Sequence, residues 1–329
     1  MYLRAKILDD LLIQVFQVLL EKGNPSEASR GRNLELIGVL LELENPRARL
    51  SRSEIKGRPF SCIGEFLWYL SGSNQLEFIE RYVPDYADDA EEDGTLHGAY
   101  GPRLYDMDGQ DQVANVVRIL REGKRTTRRA VIQLYSASDI AQRYNEIPCT
   151  TTIQFLLREE RLHSCVSMRS NDAFRGLPHD AFCFTMLQEL IARDLDVELG
   201  TYKHFVGSLH LYENRVNAAQ DYLTEGVHSI LPMPEMPAGP QWENAQRLIP
   251  IEQAIREGAG YNAIDSSLPP YWQDLGRLLL GYEISRDEAG IDNLIDKMSW
   301  SEYRIYLERR KTANRPKPRA NKAKVHDAS

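Results

Sequence analysis

Two apolar runs, 151–157 (TTIQFLL) and 161–168 (RLHSCVSM), are separated by three charged residues. Short β-branched and apolar runs flanking so tight a polar turn read as a hairpin. A helix-spaced apolar stretch follows at 181–195, then another strand-like run at 203–212 (KHFVGSLHLY). Strands interleaved with helices in this way need a sheet covered by helices, an α+β architecture. Upstream, 34–42 and 130–136 read as strands, and 7–22, 62–71 and 114–122 as helices. Past Tyr222 prolines gather between Leu231 and Pro240, and helical segments follow near 252–257, 271–281 and 289–309. The expected organisation is an α+β domain over residues 1–225, a helical extension over 226–308 and a basic, disordered tail over 309–329.

Charge is unevenly spread. The 329 residues carry a net −8, yet the segment from Arg309 onward holds eight basic residues and one acid. The remainder has 32 basic residues against 47 acidic ones, a net of −15. A body this acidic argues against a general nucleic-acid binder. No apolar run reaches the roughly 20 residues that span a bilayer. The four cysteines (Cys62, Cys149, Cys165, Cys183) lack zinc-site or disulfide spacing, so no metal and a reducing, cytoplasmic setting are expected.

The most informative stretch is IPCTTTIQFLL followed by SMRSNDAFRGLPHDAF. Cys149 follows Pro148 and opens a strand, and twenty residues later Arg169, Ser170, Asn171 and Asp172 stand together. Gly176-Leu177-Pro178 then forms a turn, with Asp180 at the start of a helix. An arginine beside a thiol favours the thiolate, the nucleophilic form. Read singly, a cysteine at a strand start is more often a small core residue.

In order and spacing these residues resemble the thymidylate synthase family and, within it, the phage-type deoxycytidylate hydroxymethylases. The resemblance covers roughly residues 25–225 and extends to Glu65 in GEFLWYLSG, Tyr100 in GAYG, the pair Arg128-Arg129, and His210-Leu211-Tyr212. It implies a mixed β-sheet packed by helices, with the helical C-terminal appendage added. It also implies a homodimer in which Arg128 and Arg129 cross the interface.

The chemistry the resemblance implies is one-carbon transfer from 5,10-methylenetetrahydrofolate to C5 of a pyrimidine nucleoside monophosphate. That carbon is a poor nucleophile until a thiolate adds at C6 and makes it enamine-like. Cys149 would be the nucleophile. Glu65 would order the waters that move protons, and Tyr100 would assist proton removal at C5. Arg30, Arg169 and Ser170 would hold the 5′-phosphate through charge-assisted hydrogen bonds, with Arg32 a competitor for Arg30. Asp172 would meet the folate, with Asn171 nearby. His210 and Tyr212 would contact the sugar.

Asp180 bears on the base. Thymidylate synthases carry Asn here, whose amide matches uracil's O4 acceptor and N3–H donor. A carboxylate instead accepts from cytosine's N4–H and meets uracil O4 as a second acceptor, a mismatch worth ~10²-fold or more. Asp is also a common helix cap. Two departures from the synthases suggest that water, not hydride, reaches the final intermediate. The loop RYVPDYADDAEEDG lacks their tryptophans, and the chain ends in a basic, polar run. The expected reaction is hydroxymethylation of a cytidine monophosphate, dCMP favoured and CMP possible. Reductive methylation of dUMP is the alternative on the same scaffold, and a catalytically silent nucleotide- or RNA-binding protein is the third reading.

Overall fold

The computed structural model describes residues 1–313 apart from 29, 125, 227, 229 and 230. Of the tail expected to be disordered, residues 314–329 lie outside the described residues. The strands are β1 (Tyr2–Ala5), β2 (Asn24–Ala28), β3 (Gly31–Leu43), β4 (Val131–Gln133), β5 (Thr150–Arg158), β6 (Arg161–Asp172) and β7 (Glu198–Tyr212). They form one mixed sheet in the order β1-β3-β7-β6-β5-β4, with β2 also paired to β3. The helices are α1 (Leu8–Lys22), α2 (Pro59–Leu70), α3 (Leu76–Ile79), α4 (Tyr100–Tyr105), α5 (Gln112–Glu122), α6 (Gly176–Leu195), α7 (Val216–Glu225), α8 (Trp242–Arg256), α9 (Pro270–Glu283), α10 (Glu288–Lys297) and α11 (Arg304–Glu308). A mixed sheet packed by helices, the expected α+β class, is what the chain forms.

The β5–β6 hairpin turns through Glu159 and Glu160, both at positive φ (50° and 56°). Positive φ at both loop residues matches the twist of the flanking strands. Along β6, Leu162, Ser164, Val166 and Met168 are buried in strict alternation, the period-two signature of a strand with one covered face. Helix α6 carries the chain from β6 to β7, which pair in parallel. It is buried nearly all round, from Leu177 to Ala192, because it lies between the sheet and α2 and α5. The other sheet face leaves Ile37 at 82% and Phe205 at 43% exposure.

Several elements differ from expectation for identifiable reasons. The strand expected over 130–136 shortens to Val131–Gln133, because a capping box between Ser136 and Asp139 starts a 3-10 turn. Helix α6 begins at Gly176, so Asp180 lies inside its second turn rather than at its start. The helix expected over 289–309 breaks at Met298–Trp300. There the buried Asp274 carboxylate accepts from the backbone N–H groups of Ser299 (3.1 Å) and Trp300 (2.9 Å). Helix α8 runs well upstream of the expected 252–257, with Pro250 inside it.

The C-terminal helices pack against α2 through α8 and α9. Gly64 allows part of this approach: a Cβ there would lie 2.3 Å from the Tyr82 ring, whose hydroxyl reaches Glu252 at 2.9 Å. The described start of the basic segment also packs on the body. Arg309 donates to the Ser53 and Arg52 carbonyls at 2.7 and 3.0 Å. The Arg310 guanidinium lies over the rings of Phe60 and Tyr282 at 5.5 and 5.0 Å.

Candidate active site

Sheet register gathers the chemistry-bearing residues at one edge. Antiparallel pairing of β5 and β6 sets Thr150 beside Met168. Parallel pairing of β6 and β7 sets Asp172 beside His210, and β7 against β3 sets Tyr212 beside Asn33. The start of α6 follows β6 after three residues, and α2 packs on α6. These ends surround a cavity of about 1040 Å³. Cys149, Glu65, Tyr100, Arg30, Arg169, Ser170, Asn171, Asp172, Asp180, His210 and Tyr212 all line it. Arg128 and Arg129 do not; both are exposed on their own chain, just before β4.

Cys149 is fixed from both sides. Its carbonyl accepts from the Arg169 N–H at 2.8 Å. The Arg169 guanidinium donates to the carbonyls of Pro148 and Ile147, each at 2.9 Å. Arg169 does favour the Cys149 thiolate, as expected, but burial outweighs it. Burial pushes Cys149 up to about 11, and the pull of Arg169 and Arg30 only partly offsets it, with Glu146 and Asp180 pushing the same way as burial. The free site holds a thiol.

Glu65, in the middle of α2, is buried, and its Oε1 accepts from Tyr69 (3.1 Å) and Tyr86 (2.8 Å). His179 Nδ1 lies 3.0 Å from Oε2. Burial alone would raise this carboxyl; hydrogen bonding and charge from His179, with the two tyrosines, hold it below the usual glutamate value. Tyr100 accepts from the Thr150 N–H at 3.0 Å, with the Thr150 hydroxyl at 2.9 Å, one residue from the nucleophile.

Asp180 does not cap α6. It is buried and accepts from Asn171 Nδ2 at 2.6 Å. Burial, reinforced by the charge of Glu65, raises it to about 7, against the lowering bond from Asn171. The Oδ1 of Asn171 and the indole N–H of Trp68, which also lines the cavity, are buried without a protein partner. Such orphaned polar atoms are uncommon in folded proteins and suit a site that a polar ligand completes.

The cations are unequal. Arg30 lines the cavity while Arg32 does not, and Arg30 pairs with Asp89. Asp172 accepts from the Phe174 N–H at 2.8 Å, and burial nevertheless raises its pKa. Three lining residues went unnoticed in the sequence. Lys56, half-buried near Asp172, is lowered to about 8 by desolvation. Glu146, three residues before the thiol, is raised to about 7 by burial and by Asp89. His179, beside Asp180, meets Ser61 Oγ through Nε2 at 3.0 Å as well as Glu65. Glu146 and His179 were signalled only by their places just before Pro148-Cys149 and within LPHD, and nothing in the SEIKGR stretch singles out Lys56.

The family model for thymidylate synthase matches residues 54–248. The deoxyuridylate hydroxymethyltransferase of Pseudomonas phage M6 is 32% identical over 168 residues, 50% of this chain and 48% of the phage protein. The deoxyuridylate hydroxymethyltransferase of Delftia phage PhiW-14 is 29% identical over 240 residues, 69% and 66% of the two chains. The thymidylate synthase of Francisella philomiragia subsp. philomiragia is 26% identical over 179 residues, 50% and 65%. The chain thus spans between about half and two thirds of the length of these relatives.

Proposed function

Because the chain belongs to the thymidylate synthase family, we propose that it transfers a one-carbon unit to C5 of a pyrimidine nucleoside monophosphate, with water completing the product as a 5-hydroxymethyl group. The observation that carries this reading is the meeting of Cys149, Glu65, Asp180 and Arg169 around one cavity. Methylenetetrahydrofolate supplies the one-carbon unit when bound. The cavity, the half-buried carboxyl of Asp172 and the orphaned indole N–H of Trp68 fit a polar heterocycle of that kind.

Arg169, with Arg30 and Ser170, takes the nucleotide phosphate; Arg30 exchanges Asp89 for it. His210 and Tyr212 face the sugar from the end of β7. Cys149 adds to C6 after losing its proton, so that C5 becomes nucleophilic. Tyr100, anchored on Thr150, lies at the C5 side and assists loss of its proton. Once C5 has bonded the one-carbon unit and lost its proton, with tetrahydrofolate as leaving group, the exocyclic methylene takes up water, whose proton passes to Glu65 as the C6–S bond breaks and Cys149 is released. Arg128 and Arg129, exposed on their own chain, serve the phosphate of a second copy, and the open sheet face around Ile37 and Phe205 suits a homodimer.

The favoured base is cytosine, in dCMP or CMP. Asn171 donates to Asp180 and so favours its ionised form, which accepts from N4–H. A second reading, uracil in dUMP, is favoured by a different observation. Asp180 is raised to about 7, so a neutral carboxyl that donates to O4 is accessible, and the phage relatives are named for deoxyuridylate. Product mass spectrometry with methylenetetrahydrofolate and dCMP, CMP, dUMP or UMP tests the reading. A hydroxymethyl cytidylate with release of tetrahydrofolate is expected. A methylated product with dihydrofolate would overturn water capture, and turnover of uridylates alone would overturn the assignment of the base.

A further inference from the structure

His179 belongs to no reading of the sequence, yet it joins two cavity-lining groups of α2. Its Nδ1 is 3.0 Å from Glu65 Oε2, and its Nε2 is 3.0 Å from Ser61 Oγ. Ser61 in turn lies within 3.3 Å of the Arg58 carbonyl. The ring therefore bridges the two, one nitrogen within ion-pair distance of a buried carboxylate oxygen and the other tied to a hydroxyl at the cavity wall.

We propose that His179 is a positioning residue for Glu65: its imidazolium, fastened by Ser61, keeps Glu65 ionised and directs it to the water that completes the product. The proposal rests on the function inferred above. In the step concerned, the water oxygen bonds to the exocyclic methylene carbon. The methylene π pair moves into the C5–C6 bond, the C6–S bond breaks and Cys149 leaves as thiolate. The water proton goes to Glu65. A neutral Glu65 could not take that proton, and burial drives an isolated carboxyl toward neutrality.

The groups facing this pair are few. Tyr69 and Cys62 come from α2, Tyr86 from the 3-10 segment Pro84–Asp88, and Asp180 and Cys183 from α6. The tyrosines donate without charge, and Asp180 opposes a second nearby anion, so the compensating cation is His179. Burial would lower the imidazole; Cys62 and Glu65 reverse this and raise it to about 10.

Ring-nitrogen NMR of the 15N-histidine-labelled protein tests the proposal without needing turnover, with H179Q identifying the resonance. His179 is expected to remain an imidazolium through pH 8, and E65Q is expected to lower its titration by at least about one unit, tenfold in the proton equilibrium. A His179 that titrates near the ordinary 6.5, or that ignores E65Q, overturns the proposal. In the pH profile of hydroxymethylation, H179Q should move the acid limb of kcat upward by about one unit while S61A moves it less. An unmoved limb in a folded, nucleotide-binding H179Q protein would also overturn it. If the wild-type enzyme turns over none of the four nucleotides, the functional reading fails, while the NMR titration still decides the Glu65–His179 pairing.

Discussion

Asn171 Nδ2 lies 2.6 Å from Asp180 Oδ2, so the residue proposed to read the base is itself held by a neighbouring amide. The amide favours the anion, burial favours the acid, and the balance leaves the carboxyl at about 7. For a carboxyl raised above its usual value, the proton is present below the shifted pKa and absent above it. On the proposed role, Asp180 should donate to uracil's O4 below pH 7 and accept from cytosine's N4–H above it. The ratio of kcat/KM for dCMP over dUMP should rise on the order of 10²-fold between pH 6 and 8.5. Asp180→Asn should flatten that dependence and turn preference toward uracil. Asn171→Ala should move the crossover upward. A ratio independent of pH in the wild type would remove Asp180 from base reading.

The thiol of Cys149, pushed up to about 11, should react sluggishly with iodoacetamide at neutral pH, and the rate should climb steadily through pH 9 and beyond. Glu146 opposes the thiolate once it ionises, near pH 7. Glu146→Gln removes that opposition, so alkylation at pH 8 should quicken several-fold while the fold is kept. Cys149→Ser should abolish turnover and leave nucleotide binding within about threefold, measured by calorimetry. A Glu146→Gln protein alkylated at the wild-type rate would show that the two groups do not communicate.

The residues that could be read from sequence were those whose meaning is local. The hairpin at 151–168 announces itself by alternation and a charged turn, and Pro148-Cys149, Arg169-Ser170 and Gly176-Leu177-Pro178 keep fixed spacing along the chain. What escaped depends on partners far away in sequence. Asp274 ends a helix 24 residues downstream by capturing two backbone N–H groups, and no local propensity at 298–300 reveals that. His179 gains its meaning only from α2, over 100 residues earlier. The thiol's net shift was hidden for the same reason: the arginine that lowers it is visible in the motif, but the burial that outweighs it is a property of the assembled cavity.

Asp274 is nearly fully buried, and besides Ser299 and Trp300 it meets Arg277 at 2.6 Å. Replacing it with Ala takes the acceptor from the Ser299 and Trp300 amide N–H groups and the carboxylate partner from Arg277. Each such loss costs roughly 1–3 kcal/mol, so Asp274→Ala should lower stability by about 3–5 kcal/mol. Urea unfolding would measure this as a fall in midpoint at unchanged slope. Asp274→Asn retains an acceptor and should lose less. Equal stability of Asp274→Ala and wild type would mean that the chain at 298–300 is not held by this carboxylate.

Arg309 and Arg310, at the start of the basic segment, contact the body. Arg309 holds two carbonyls of the 51–53 segment, Tyr306 Oη donates to the Ser51 carbonyl at 3.0 Å, and Arg310 covers Phe60 at the start of α2. That segment leads directly to Lys56 and Arg58 on the cavity wall. A chain ending at residue 313 keeps all of these contacts and should match the full-length protein in stability. A chain ending at residue 308 loses two charge-assisted hydrogen bonds and the guanidinium–ring stack, together about 2–4 kcal/mol. Its melting temperature should fall by several degrees, and KM should rise more than kcat falls, because Lys56 and Arg58 lose the anchor of their loop. Identical melting curves for the two truncations would show that residues 309–313 merely rest on the body.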